Sequence, residues 1–93
     1  MSIYSPGDVK KKITTNQLQK WVDLISNKFN EDVDREVITG FPHRIVISGE
    51  IPHSLRKNIY IYFVDRGWMV SDIVSSSENG ERPGLTSMMI KEV

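Results

Sequence analysis

The chain contains no cysteine among its 93 residues. Disulfide bonds, thiolate metal sites and cysteine nucleophiles are therefore all excluded, and the fold has to be stabilised by packing alone. A chain without disulfides is compatible with a reducing compartment, and we adopt a cytoplasmic location as the interpretation.

Long apolar runs are also missing. The longest stretch extends only from Ile59 to Val64, whereas a helix that crosses a bilayer needs about 18 consecutive apolar residues. At the amino terminus, no apolar segment follows the basic residues as it does in a secretory signal. We therefore expect neither a membrane span nor a signal peptide.

The sequence has no surplus of either charge, because 12 Lys and Arg residues balance 12 Asp and Glu residues. A domain built mainly to bind nucleic acid usually carries a strong basic surplus. The balance therefore argues against nucleic acid as the partner. Only a local basic patch would support it, and for the run of lysines at 10–12 a solvated arm is the simpler interpretation.

The length and an apolar content of 39% are compatible with one modest core and leave no room for a second domain. Residues 1–12 contain Pro6, Gly7 and the three lysines, with little apolar periodicity. They predict a basic N-terminal arm, and residues 13–93 predict a single domain.

A capping box formed by Thr14 and Gln17 predicts that the first helix begins at Thr14. Apolar residues then recur with helical spacing, so the helix is expected to continue to about Asn30. The residues of this stripe are Leu18, Trp21, Val22, Ile25 and Phe29.

Turn residues follow, and they predict a hairpin with one strand near Glu36–Thr39 and a second strand from Arg44 to Ile51. Pro52 suits the first turn of a second helix, which Gly67 is placed to end. Two further strands flank a polar loop at Ser75–Gly84. The resulting order is α-β-β-α-β-β. We predict an α+β fold, a two-layer sandwich with two helices on one face of a three- or four-stranded, mainly antiparallel sheet.

No set of residues with the spacing of a catalytic or metal site stands out. The only histidines, His43 and His53, lack the HxxxH or HxH spacing of a metal pair. None of the carboxylates belongs to a recognisable acid–base pair. We therefore predict a protein that is not an enzyme and that holds no metal or cofactor.

Two surfaces are candidates for binding a protein partner. Tyr60, Ile61 and Val64 lie off the inner stripe of the second helix, and a patch of this kind would also favour a symmetric homodimer. The alternative is a wide stripe packed in the core. The second candidate is the polar loop, where a mobile solvated hairpin tip is the alternative to a binding role. Its candidate residues are Ser76, Asn79 and Arg82.

The first turn of the second helix is a candidate anion site. Free amides at a helix start attract anions, and basic side chains would strengthen that field. The simpler interpretation is that these are solvent-side residues of an amphipathic helix. The residues are His53, Ser54, Arg56 and Lys57.

Residues 53–93 contain a helix that ends in DRGW, a strand MVSDIV and a loop NGERPG. In this respect the chain resembles the small accessory proteins of tailed bacteriophages. The resemblance implies a protein that binds and inhibits a host or defence protein in the host cytoplasm. The leading hypothesis is thus a small non-enzymatic binding module, and the alternative is a protein that sequesters a nucleotide or another phosphate ligand.

Overall fold

A computed structural model of the protein describes residues 3–93. Two helices, three strands and one 3₁₀ turn account for most of these residues. In chain order they are α1 (Pro6–Asp34), β1 (His43–Ser48), α2 (His53–Val64), β2 (Trp68–Ser75), the 3₁₀ turn (Ser76–Asn79) and β3 (Leu85–Glu92). Within residues 3–93, no helix combines the length and the apolar character needed to cross a membrane.

The three strands form one antiparallel sheet in the order β1-β3-β2. The central strand β3 pairs with β1 at Ile45 and Met88, and with β2 at Val70 and Ile90. Because β1 and β2 both run antiparallel to β3, they run in the same direction, and α2 connects them across β3. Both helices contact the sheet. The predicted α+β class, with two helices and a three-stranded antiparallel sheet, is confirmed.

The start of α1 differs from the prediction. The helix begins at Pro6, and the hydroxyl of Ser5 caps it by accepting a hydrogen bond from the Asp8 amide (3.2 Å). Thr14 lies inside the helix, where its hydroxyl donates to the Lys10 carbonyl (3.0 Å). The predicted start at Thr14 is therefore wrong. The basic arm predicted for residues 1–12 is helical from Pro6 onward, and residues 1 and 2 lie outside the described range.

A serine cap followed by proline and an acidic residue is itself a helix-start signal. Proline suits the first helical position because its missing N–H would have had no partner there. Ser5, Pro6 and Asp8 fit that pattern. The competing signal at Thr14 misled the prediction because a Ser/Thr-x-x-Gln pattern is also compatible with a helix interior.

The hairpin strand predicted near Glu36–Thr39 does not form, and no strand occurs between α1 and β1. The amides of residues 35–37 close the end of α1 instead. Arg35 donates to Glu31, Glu36 to Val33, and Val37 to Asp32, all through the main chain. Donors used in this way are not available to a strand ladder, so the order of elements is α-β-α-β-β.

The core lies between the helices and the inner face of the sheet, and the predicted apolar stripes of both helices contribute to it. Leu18, Phe29 and Tyr62 pack at its margin and are partly buried. The buried apolar residues are Trp21, Val22, Ile25, Ile45, Ile47, Ile51, Leu55, Ile59, Phe63, Val70, Met88 and Ile90.

The connection from β1 to α2 is fixed by a buried hydroxyl on β3. The hydroxyl of Thr86 donates to the Gly49 carbonyl (2.7 Å) and accepts from the Ile51 amide (3.1 Å). The Gly49 amide donates to the Gly84 carbonyl (2.7 Å). Polar groups that are buried here are thus paired, which avoids the cost of leaving them without partners.

Gly49 also lies directly beneath the indole ring of Trp21. Its φ is +93°, and a Cβ at this position would lie 2.8 Å from Cη2 of Trp21. We therefore expect Gly49→Ala to lower the free energy of unfolding by more than about 1 kcal/mol, since both the backbone conformation and the space exclude a side chain. Chemical denaturation of purified protein measures this.

Gly40→Ala is the matched control, because a Cβ at Gly40 would meet no atom within 4 Å. Its free energy of unfolding should stay within about 0.5 kcal/mol of the wild type, as for most surface substitutions. Equal losses in the two variants would show that Trp21 does not require a glycine beneath it.

Candidate functional site

The residues of the candidate patch on α2 lie on one side of the helix. Val64 is about one turn from both Tyr60 and Ile61, and the three residues span an arc of about 100°. Tyr60 and Ile61 are exposed, and Val64 is half-buried. The three residues are therefore neighbours on α2 and remain predicted partner contacts. Ile61 is the member whose surroundings suit a binding role.

Ile61 lines an open groove between α1 and α2. Leu18 and Tyr62 contribute the other apolar side chains of this part of the groove, which has a volume of about 290 Å³. The guanidinium of Arg66 lies 3.6 Å from the centre of the Tyr62 ring at one end. Ile61 itself is 45% exposed. The site is an apolar surface bordered by charge.

The groove continues toward the amino-terminal half of α1. A second section of about 450 Å³ shares Leu18 and Asn58 with the first and is bordered by Lys10 and Lys11. We call the whole feature the helix groove and define it by Lys10, Lys11, Leu18, Asn58, Ile61 and Tyr62. Its apolar part lies toward the middle of the helices, and its basic end lies on α1.

The polar loop at Ser75–Gly84 is more structured than its composition predicts, because the 3₁₀ turn occupies its first half. Ser76 is buried, and its hydroxyl accepts a hydrogen bond from the Leu85 amide (3.2 Å). The assignment of Ser76 to a partner contact is therefore wrong. Asn79 and Arg82 are exposed, so they remain predicted contacts.

Arg56, at the start of α2, connects the helix to the end of β2. One guanidinium nitrogen donates to the Ile73 carbonyl (2.9 Å), and the other donates to the Ile51 carbonyl (3.2 Å) and the Ser75 hydroxyl (3.1 Å). These contacts leave the side chain largely buried. The interpretation of Arg56 as a solvent-side residue is therefore wrong.

Glu78 of the 3₁₀ turn lies against the same guanidinium. Its carboxylate is 2.5 Å from Arg56 and 2.9 Å from the His53 imidazole. The hydrogen bond from Arg56, together with the positive charge, lowers the pKa of Glu78. A carboxylate of the chain thus occupies the position that the sequence assigned to a phosphate, and it would compete with any anion for Arg56. Ser54 and Lys57 are exposed on the same turn.

We expect Arg56→Lys to lower the free energy of unfolding by roughly 1–2 kcal/mol. A lysine ammonium cannot reproduce the fork of donors that reaches two carbonyls at once, and each neutral hydrogen bond contributes about 0.5–1.5 kcal/mol. Denaturant unfolding at neutral pH is the measurement. Lys57→Arg, one residue along and exposed, is the control, and a comparable loss there would contradict the role assigned to Arg56.

A second ionic cluster joins the end of α1 to the start of β1. Asp32 is only 5% exposed. Its carboxylate is 2.9 Å from the imidazole of His43 and 3.3 Å from the ammonium of Lys28. The hydrogen bond from His43 lowers the pKa of Asp32 below its ordinary value of 3.8, with a smaller contribution from Lys28, although burial opposes both.

The lowered pKa gives a prediction for acid stability. A carboxyl whose pKa is lower in the folded state stabilises that state above its unfolded pKa, and this contribution is lost as the pH falls through the folded pKa. We expect the difference in unfolding free energy between the wild type and Asp32→Asn to be at its full size from about pH 5 upward and to shrink as the pH falls toward about pH 2.

Urea unfolding across this pH range measures the difference. Asp34→Asn is the matched control, because it removes an exposed carboxylate from the same helix. A difference between the wild type and Asp32→Asn that stayed constant with pH would show that the Asp32 carboxylate does not contribute through its charge.

Sequence reasoning did not identify the two ionic clusters or the helix groove. Lys28 and Asp32 are four residues apart on α1, and that spacing is a usable signal. The contacts of Asp32 with His43 and of Arg56 with Glu78 span 11 and 22 residues. No local pattern marks pairs so far apart.

Among residues 3–93, no group of three potential ligands is arranged to hold a metal ion.

Comparisons of the chain with protein families, with characterised proteins and with solved structures find no match. The surface of the molecule itself therefore has to indicate what the protein does. The helix groove is the feature of that surface with the clearest chemical character, since it combines exposed apolar side chains with a basic end.

Proposed function

We propose that the protein is a non-enzymatic binding module that docks a segment of another protein in the helix groove. The observation that supports this is the position of Ile61, which is 45% exposed inside a groove whose other apolar members are Leu18 and Tyr62. Apolar side chains that are clustered and accessible favour association, because covering them removes apolar area from water.

The groove suits an amphipathic helix as the bound segment. It follows the line where α1 and α2 meet, so a helix laid along it would insert its apolar side chains between them, as in other helix-in-groove complexes. Lys10 and Lys11 border one end. The segment is therefore expected to carry acidic residues near the end that meets these lysines, since complementary charges steer and orient the encounter.

The resemblance of residues 53–93 to small phage accessory proteins supports an inhibitory role for this binding. Under this proposal, the partner is a host or defence protein, and the site of action is the host cytoplasm. Occupying a groove of this kind requires no chemical step by the protein. Inhibition would follow from masking the partner's own amphipathic segment.

The phosphate-binding alternative lacks comparable support. The guanidinium of Arg56 already contacts the carboxylate of Glu78 and two main-chain carbonyls. A phosphate ligand would have to displace Glu78 before binding. If the alternative is correct, inorganic phosphate or a nucleotide will raise the melting temperature, because a ligand that binds only the folded state stabilises it.

The proposal is tested with a partner captured from a native lysate and then purified. We expect Ile61→Asp to weaken its binding at least about tenfold, since a charge would be buried in the apolar part of the contact. Isothermal titration or surface plasmon resonance measures the affinity. Val33→Asp, which places the same charge at an exposed apolar position of α1, is the control and should bind normally.

Arg82→Ala, in the exposed loop, distinguishes the two candidate surfaces. If the helix groove is the contact, this variant retains the wild-type affinity. If Arg82→Ala loses binding while Ile61→Asp retains it, the loop is the contact and the groove assignment is wrong. Full affinity in both variants would reject both surfaces.

A further inference from the structure

The amino-terminal half of α1 extends away from the rest of the domain. α1 has 29 residues, which corresponds to about 43 Å, and every residue from Pro6 to Gln17 is exposed. We call this segment the α1 extension. A helical segment this short is marginally stable in water without packing. We therefore expect the α1 extension to be stabilised by packing against another chain.

Apolar residues on the extension support this view. Val9 and Ile13 are one helical turn apart and are 40% and 50% exposed. Leu24, three turns further along the same side, is partly buried. This side of α1 is separate from the stripe that contains Trp21 and Ile25 and that faces the core.

The charges of α1 are separated along its length. Residues 6–20 contain four lysines and one aspartate, a net charge of +3, whereas residues 21–34 contain four acidic residues and one lysine, a net charge of −3. We call Lys10, Lys11 and Lys12 the basic pole. Glu31 and Asp34, together with Glu36 just beyond the helix, form the acidic pole. The two poles have opposite sign and lie at opposite ends of one helix.

The helix dipole does not explain this arrangement. Acidic residues stabilise a helix start and basic residues stabilise a helix end, and Asp8 in the first turn of α1 fits that rule, but lysines follow in the next turn and the last turn contains no basic residue. The stability of the isolated helix therefore does not explain the separation. An antiparallel partner helix with the same arrangement would compensate both poles at once, because each pole would lie beside its opposite.

We propose that α1 is the interface of an antiparallel homodimer in which the basic pole of each copy contacts the acidic pole of the other. A nucleic acid or an acidic protein would satisfy the basic pole only. A second copy of this chain carries an acidic pole for the basic pole and a basic pole for the acidic pole. A two-fold axis makes the two contacts identical.

A two-fold axis near the middle of α1 fits the apolar residues as well as the charges. With residue 20 on the axis, Lys10 lies opposite residue 30, within one turn of Glu31 of the second copy. Ile13 then lies within one turn of Leu24 of the second copy. The exposed apolar residues of the extension are thereby covered by the half of α1 that belongs to the domain.

The first test measures the mass of the wild-type chain by sedimentation equilibrium at low and high salt. We expect a dimer whose dissociation constant rises at least about tenfold between about 0.05 M and 0.5 M NaCl, because salt screens the contacts between the poles. A monomer at about 1 mM protein would overturn the proposal, since that concentration populates even weak dimers. A dimer insensitive to salt would also overturn it.

The second test exchanges the charges. One variant combines Lys10→Glu, Lys11→Glu and Lys12→Glu, and the other combines Glu31→Lys, Asp34→Lys and Glu36→Lys. We expect each variant to be a monomer alone and an equimolar mixture to form a heterodimer. A mixture that stays monomeric, or single variants that dimerise like the wild type, would overturn the proposal. Circular dichroism verifies folding, and the salt series on the wild type does not depend on these variants.

A third test examines the orientation, and the absence of native cysteine makes it direct. In the antiparallel pair, Lys20→Cys lies close to its equivalent and should form an intermolecular disulfide under mild oxidation. Asn27→Cys lies about 21 Å from its equivalent along the axis and should not. Crosslinking at both positions would indicate a parallel pair and overturn the antiparallel arrangement.

This proposal shares Lys10 and Lys11 with the proposed function but does not involve Ile61, so one variant separates the two. Ile61 lies in the helix groove on α2, so Ile61→Asp should leave the dissociation constant of the homodimer unchanged. Loss of the dimer in Ile61→Asp would mean that a second copy uses the groove, which overturns the α1 interface. Loss of partner binding with an intact dimer would leave both proposals standing.

Discussion

The contact of Trp21 with the backbone at Gly49 is the constraint on which the rest of the structure depends. At Gly49 the chain leaves β1 and turns toward α2, and the same residue bonds to Gly84 and Thr86 beside β3. The indole ring covers this point from α1 at a distance that leaves no space for a side chain. Gly49 thus fixes how α1, the turn between β1 and α2, and the central strand β3 pack together.

Two ionic clusters extend this arrangement to the ends of the molecule. Asp32 and His43 attach the end of α1 to the start of β1, and Arg56 and Glu78 attach the start of α2 to the 3₁₀ turn. Asp32 and His43 are separated along the chain by the turn between α1 and β1. Arg56 and Glu78 are separated by the rest of α2 and by β2. Both clusters use charged groups within the chain, and this limits what they can offer to a ligand.

Outside the core, the helices expose both apolar and charged side chains. α1 serves the core with one half and extends into solvent with the other, which leaves both an apolar groove beside α2 and a separated pair of charged poles. A protein with these features is suited to association. The groove and the basic pole share Lys10 and Lys11, whereas Ile61 belongs to the groove alone.

The sequence by itself determined the α+β class, the single domain and the inward stripes of both helices, because spacing along the chain fixes which side chains share a face. The prediction placed the start of α1 at Thr14 because two helix-start signals compete in this part of the sequence. It placed a strand near Glu36–Thr39 because only the structure shows that the amides of Glu36 and Val37 bond to the end of α1. Tertiary structure alone decided that Arg56 contacts Glu78 and that Asp32 contacts His43. Those partners meet only when the sheet and helices assemble, and no pattern of neighbouring residues encodes a contact between segments that are distant along the chain.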